Sequence, residues 1–197
     1  MDEMPLSDWV EQSAHSVGVV FSDVVDSTLL LHREGTVNYA QILMAHRIRA
    51  TQLVARFEGR LINQTGDGIF AAFRGATNAY EFARALFVDP GHVELGVRVG
   101  IHDGTVQTHG SDLVGRTVHF GARVMAQARG RELWLSDTAR KALESEDPTS
   151  ASSIAWQATV RRRLKGIPRL QRLWRVNPVA RVDHRDHTLR KDTVQEG

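Results

Sequence analysis

The sequence predicts an α/β sandwich built on a mixed or antiparallel sheet. Three observations carry this. Short runs rich in valine and isoleucine alternate with amphipathic helical segments along most of the chain. Two strand-like runs, "RLINQT" and "GIFAAF", flank Gly66 and Asp67 and read as a β-hairpin, which makes an antiparallel pair. The order of elements is β-α-α-β-β-α-β-β-α-β-α-β-β. Hairpins interrupt the crossovers, so a doubly wound parallel sheet does not fit.

Each element has a local cause. "VGVVFSD", residues 17–23, is a valine-rich run and reads as a buried strand ending at Asp23. Asp26, Ser27 and Thr28 follow, all able to cap a helix start. In "TVNYAQILMAHRIRATQLVARFEG" the residues Tyr39, Ile42, Leu43, Ala50, Leu53, Val54 and Phe57 recur at helical spacing, with Gly59 expected to close the helix. His46 lies on this helix and is expected at the edge of the core. The hairpin comes next, and then "ATNAYEFARALFV", an amphipathic helix stopped by Pro90 and Gly91. "VELGVRVGIHDGTVQTHG" is strand-like with a bend near Gly104, and "GRTVHFGARVMAQAR" is a third helix ended by Gly130. "ELWLSD" is a strand, "SDTARKALE" a short helix begun by Ser136, and "EDPTSASS" a loop. "IAWQATV" and "QRLWRV" are strands on either side of a basic loop. After Pro178 apolar residues almost vanish, so the tail to Gly197 is expected to be mobile.

Composition removes several function classes. With 197 residues, 42% of them hydrophobic and 24% charged, the chain has the makings of one globular domain with tails. The formal net charge is only +2, and the basic excess is local, in "RRRLKGIPRLQR" and the tail. Those runs lack interleaved aromatic residues, so no nucleic-acid partner is expected. Cysteine is absent, which excludes disulfides, thiol catalysis and Cys-ligated zinc. The first sixteen residues are acidic and have no apolar signal core, and no apolar run is long enough to span a bilayer. The expected setting is the cytoplasm, without a membrane partner.

Asp67 raises the functional question. A hairpin tip takes Gly and Asp for turn geometry alone. Asp23, however, ends a strand that is free to pair with this hairpin, and neighbouring strands lie about 5 Å apart. Two convergent carboxylates with few other ligands suit Mg²⁺ or Mn²⁺ held partly by substrate phosphates, and such a pair can hold two ions for phosphoryl chemistry. Beside them, "VVDSTL" offers free backbone N–H groups at a helix start, a seat for a triphosphate.

Five segments then occur in order: "VVFSDVVDST", "GRLINQTGDGIFAAF", "VRVGIHDGTV", "GRTVHFGARVMAQA" and "RRLKG". Together they resemble the class III nucleotidyl cyclase catalytic domain over residues 17–176. The resemblance leaves 1–16 as an N-terminal segment and 177–197 as a polar tail. It implies a ferredoxin-like βαββαβ core and a head-to-tail homodimer with composite active sites at the interface. It implies two Mg²⁺ or Mn²⁺ ions per site and a nucleoside triphosphate substrate. One subunit would supply the metal ligands Asp23 and Asp67, and Val24, Val25, Asp26, Ser27 and Thr28 for the triphosphate. The other would supply base-reading and transition-state residues. Arg123 matches the family's transition-state arginine, and Lys165 the lysine that holds the distal phosphates. The ribose 3′-hydroxyl attacks the α-phosphorus and pyrophosphate leaves.

Three positions depart from the family pattern. The lysine that reads adenine, four residues before the hairpin aspartate, is Asn63 here, facing Asp112 as its expected partner. The guanylate-forming pair does not match either. Asn donates and accepts, so it suits several base edges. The transition-state asparagine is His119, which still offers a hydrogen-bond donor. Tyr39 falls on an aliphatic position that borders the base, counted without gaps between Asp23 and Asp67, and its bulk would shrink the pocket. His102, in "GIHDG", is read as structural. An altered base pair in a stand-alone domain resembles the pyrimidine cyclases of bacterial Pycsar anti-phage systems. That points to UTP, then CTP, with the cyclic product passed to a separate effector. Two alternatives stand beside it: an ATP cyclase with an unusual base pair, and a catalytically poor homologue kept as a regulatory dimer.

Overall fold

A computed structural model describes residues 4–13, 16–159 and 161–181. The chain opens with α1 (Leu6–Glu11), β1 (Val17–Val24) and α2 (Ser27–Arg56). The hairpin β2 (Arg60–Thr65) and β3 (Gly68–Phe73) leads into α3 (Ala76–Val88) and β4 (Val97–Gly104). A small hairpin, β5 (Gln107–His109) and β6 (Asp112–Val114), precedes α4 (Arg116–Met125) and β7 (Leu133–Ser136). Then come α5 (Asp137–Glu146), α6 (Pro148–Ser152) and β8 (Ile154–Ala158). The chain ends in β9 (Arg162–Arg163), β10 (Leu170–Gln171) and β11 (Leu173–Arg181).

The main sheet has seven strands in the order β2-β3-β1-β4-β7-β11-β8. Its pairs are antiparallel except β4 with β7, so it is mixed. The first four strands, with α2 and α3 between them, form the ferredoxin-like βαββαβ unit that the sequence resemblance implied. The central position of β1 explains its valine run, which is buried on both faces. Val20 and Val24 join Ile42 and Leu53 of α2, Phe82 of α3 and Leu143 of α5 in the larger core. Val17 and Val19 join Trp9, Phe70, Ala72 and Leu113 on the opposite face.

Several local features differ from the sequence expectation. The segment before residue 17 contains α1, whose Trp9 is 4% exposed and packs on the sheet. One tryptophan in a short polar segment gives no periodicity to read. The long helix has a break at Gly35 (φ 74°, ψ 165°), so it is two helices in sequence. It ends at Arg56, before Gly59, because Glu58 takes the left-handed conformation. Gly59 N–H donates to Val54 O at 2.9 Å and Glu58 N–H to Ala55 O at 3.2 Å, which is a Schellman cap. The loop "EDPTSASS" contains α6, started by Pro148 with Asp147 capping Ser150 N–H. The strand expected to end at Val176 continues to Arg181. Pro178 is accommodated where the β8–β11 register shifts between Val176 and Arg181, a bulge that needs no N–H from it. Residues 182–197, the rest of the expected tail, lie outside the described residues.

Two histidines serve the core. His46 is 1% exposed, deeper than the core edge expected, with Nδ1 2.7 Å from Pro90 O. Burial lowers its pKa. His102 stacks on Phe120 with ring centroids 4.1 Å apart, and its Nδ1 lies 2.8 Å from Ser136 Oγ. Burial pushes its imidazole down to about 4. The unfolded chain takes up this proton at the ordinary, higher pKa. The neutral ring therefore contributes its full stability above the unfolded value, and loses it as pH falls toward the folded one. For His102 the loss should reach about 2 kcal/mol between roughly pH 7 and 5. Chemical denaturation across that range should show a shallower pH slope in His102→Gln. An unchanged slope would assign the acid sensitivity elsewhere.

Candidate active site

Two carboxylates come together at one end of the sheet. β1 pairs with β3 in the register Phe21↔Phe70 and Ser22↔Ile69. The next residues along these strands are Asp23 and Gly68, and Asp67 is in the turn directly before Gly68. Gly66 has a φ of 59° while Asp67 keeps a negative φ, the pattern of a type II′ hairpin turn. Turn geometry thus accounts for the Gly-Asp pair, and strand pairing adds the second acid. Tyr39 reports on both. Burial, and then the charges of Asp67 and Asp23, hold its phenol above the usual range, and its side chain hydrogen-bonds Ser27.

The six residues from Asp23 to Thr28 line one cleft of about 630 Å³, with Arg98 on its wall. α2 starts there behind Asp26, which is left-handed (φ 55°) and makes no side-chain cap. The N–H groups of Ser27, Thr28 and Leu29 therefore have no acceptor within the helix. Arg98 stands directly across β4 from Asp23, with Nε 3.0 Å from Oδ2 and Nη2 also in contact. Among the described residues no cluster of three or more His, Cys, Asp or Glu could hold a metal. Two carboxylates without a third protein ligand fit Mg²⁺ or Mn²⁺ completed by phosphate oxygens and water. They do not fit a structural zinc site.

A second cleft, of about 890 Å³, lies between α4 and the β9–β10 hairpin. α4 packs flat on the sheet through two glycines. A Cβ on Gly100 would fall 2.2 Å from Met125 N, and one on Gly121 would fall 2.8 Å from Val19 Cγ2. With Thr117, Gly121 and Val124 facing inward, Arg116, His119 and Arg123 share one exposed stripe at i, i+3 and i+7. Lys165 and Arg169 of the hairpin form the other wall. Arg169 follows Pro168 and has a φ of 82°, the place in a type II turn normally given to Gly or Asn. For an L-residue this conformation costs about 1 kcal/mol. The two clefts share no residue.

Asn63 and Asp112 lie toward the β2 edge of the sheet. The β2–β3 register shifts between Leu61 and Asn63, so Asn63 pairs with Phe70. The bulge sets Asn63 on the sheet face of Phe70 and Phe21, whose rings stack at 4.3 Å. A groove of about 330 Å³ on this face reaches from Asn63 to Asp23. Asp112 opens β6, which lies beside β2, and its carboxylate accepts the Leu113 N–H at 2.8 Å. Both side chains are exposed.

The structure thus collects Asp23, Val24, Val25, Asp26, Ser27 and Thr28 in one cleft, with Asp67 and Tyr39 beside it. It collects His119, Arg123 and Lys165 in the other. Sequence reasoning missed Arg98, Arg116 and Arg169. Arg98 becomes visible only through its register with Asp23. The other two were hidden in stretches that read as generally basic or helical.

The family model for the adenylate and guanylate cyclase catalytic domain matches residues 9–171. A curated adenylate cyclase of Streptomyces coelicolor is 34% identical over 125 residues, which is 62% of this chain and 32% of that protein. The chain thus spans about a third of that relative's length. An adenylate cyclase structure from Trypanosoma brucei, in its monomeric state, superposes with a TM-score of 0.76 at 20% identity, covering 90% of this chain and 95% of that one. The guanylate cyclase domain of RhGC from Catenaria anguillulae, in complex with GTP, superposes with a TM-score of 0.68 at 19% identity, covering 85% and 97%. No helix among the described residues is long and apolar enough to cross a membrane. The chain belongs to the adenylate and guanylate cyclase catalytic domain family.

Proposed function

We propose that this chain converts a nucleoside triphosphate into its 3′,5′-cyclic monophosphate and pyrophosphate, as a cytoplasmic head-to-tail homodimer. The separation of the two clefts carries this reading. One chain holds an acidic cleft and a basic cleft apart, and a head-to-tail pair sets the acidic cleft of one subunit against the basic cleft of the other.

In such a site each residue has a task. Two divalent ions held by Asp23 and Asp67 would act as Lewis acids toward the 3′-hydroxyl and the triphosphate. The free N–H groups from Ser27 onward, the loop from Val24 to Thr28, and Arg98 bind phosphate oxygens. Arg123 offsets negative charge that develops on the α-phosphate and the leaving group. His119, on the same helical face, donates a hydrogen bond to the same region. Lys165 holds the distal phosphates. Asn63, Asp112 and Tyr39 border the base.

For the base we place UTP first, then CTP. Asn63 offers both a donor and an acceptor, and Tyr39 adds bulk beside Asp23 and Ser27 where a smaller base would fit. A cyclic UMP or cyclic CMP product suits an anti-phage signal received by a separate effector. ATP is the second reading, favoured by the adenylate cyclase relative of Streptomyces coelicolor.

The test is product identification. Purified protein is incubated separately with ATP, GTP, CTP and UTP in the presence of Mn²⁺, with Asp23→Ala as control, and products are identified by mass spectrometry. Cyclic UMP or CMP alone supports the pyrimidine reading, and Tyr39→Ala should then raise purine turnover by about tenfold. Cyclic AMP alone would replace it with the ATP reading. No product from any of the four would overturn the activity and leave the regulatory homologue.

A further inference from the structure

The Gly66–Asp67 turn has two conformations open to it. A two-residue hairpin loop adopts type I′ or type II′, and the two differ by rotation of the peptide between the central residues. Gly66 suits both. Asp67 suits both as well, since aspartate is among the few residues that tolerate the left-handed region type I′ asks of it. Here Asp67 stays out of that region, so the turn is type II′. Flipping the peptide would reverse the Gly66 carbonyl and re-aim the Asp67 carboxylate. The pairing Thr65↔Gly68 is compatible with both turns, so the ladder does not choose between them.

A side chain of α2 makes the choice. Arg47 Nη2 donates to the Gly66 carbonyl oxygen at 2.6 Å. That oxygen belongs to the peptide whose flip separates the two turns. A guanidinium donor makes the bond charge-assisted, and so stronger than a neutral one. The stretch of helix that carries Arg47 is itself fixed. His46 Nδ1 lies 2.7 Å from Pro90 O, and Arg49 pairs with Asp89 at 3.0 Å. A Cβ on Gly91 would fall 2.8 Å from Ala45 O, so the segment after α3 backs α2 without slack. About two turns earlier on the same helix, Tyr39 hydrogen-bonds Ser27. One helix thus touches both halves of the acidic site, the hairpin through Arg47 and the phosphate loop through Tyr39.

We infer that Arg47 is a positioning residue for the metal site: it locks the Gly66–Asp67 peptide in the type II′ orientation and so aims Asp67 at the space it shares with Asp23. Its part in the reaction rests on the nucleotidyl cyclase reading; its effect on metal binding is measurable without turnover.

Mn²⁺ titration tests this directly. Mn²⁺ is added to the full-length wild type, Arg47→Met, Arg47→Lys and Asp67→Ala, and the free ion is read by electron paramagnetic resonance, with Tm and oligomeric state measured in parallel. Arg47→Met keeps an apolar stem and removes the donor. It should weaken Mn²⁺ binding by about tenfold, the size typical for a group that orients a metal ligand. Arg47→Lys keeps a cationic donor on a long stem and should restore most of that loss. Arg47 is exposed, so Tm should change little in either variant. Wild-type Mn²⁺ affinity in Arg47→Met overturns the proposal, and so does equal weakening in the Met and Lys variants. Wild-type binding no stronger than that of Asp67→Ala overturns it together with the metal assignment. If the wild type cyclises none of the four nucleotides, the cyclase reading fails while the Mn²⁺ titration still decides the role of Arg47.

Discussion

Asp23→Ala and Asp67→Ala should each lower turnover by about a thousandfold or more, with the fold intact. The size follows from the small donor set. Two carboxylates, Asp23 and Asp67, converge at this end of the sheet, and no group of three or more His, Cys, Asp or Glu among the described residues could hold a metal. Removing one takes away half of the protein's hold on the metals. The fold should survive for separate reasons at the two positions. Asp23 is exchanged at a strand end where Arg98, its partner, is 36% exposed and can turn to water, so losing the ion pair costs at most about 1 kcal/mol. Asp67 is the second residue of a II′ turn whose conformational demand falls on Gly66. Turnover is read by product formation, and the fold by Tm and oligomeric state. More than about a tenth of wild-type turnover in both variants would remove the metal assignment.

The fold was legible where period and turn chemistry agreed. The valine run of β1 and the Gly-Asp turn of β2–β3 left little choice of strand or pairing, and together they brought Asp23 toward Asp67. The stripe of Arg116, His119 and Arg123 also follows from helical spacing once α4 is accepted. What escaped reading depends on tertiary register. Arg98 is an ordinary alternating strand residue until β1 and β4 are set side by side. Asn63 faces the groove because of a one-residue slip in β2, and a bulge leaves no mark in the hydrophobic pattern. β6 is three residues long, too short for any period, yet it carries Asp112. Arg169 looked like one more charge in a basic run. Its positive φ comes from the Pro168 turn closing a hairpin whose strands are only two residues each.

Mixing subunits offers the second large effect. Asp67→Ala and Arg123→Ala homodimers should each be nearly inactive, because every composite site in them lacks one half. Coexpressed in equal amounts, random pairing makes half of the dimers mixed. In each mixed dimer one site combines the intact acidic cleft of the Arg123→Ala subunit with the intact basic cleft of the Asp67→Ala subunit. The other site carries both defects. About a quarter of wild-type turnover should therefore return. The control pair is Asp23→Ala with Asp67→Ala, both in the acidic half, where no pairing rebuilds a site and none should recover. The two outcomes separate on geometry alone. If Asp67 and Arg123 worked within one chain, mixing would recover nothing, since each subunit would remain defective whatever its partner. The two clefts share no residue, which is the arrangement that such composite sites require.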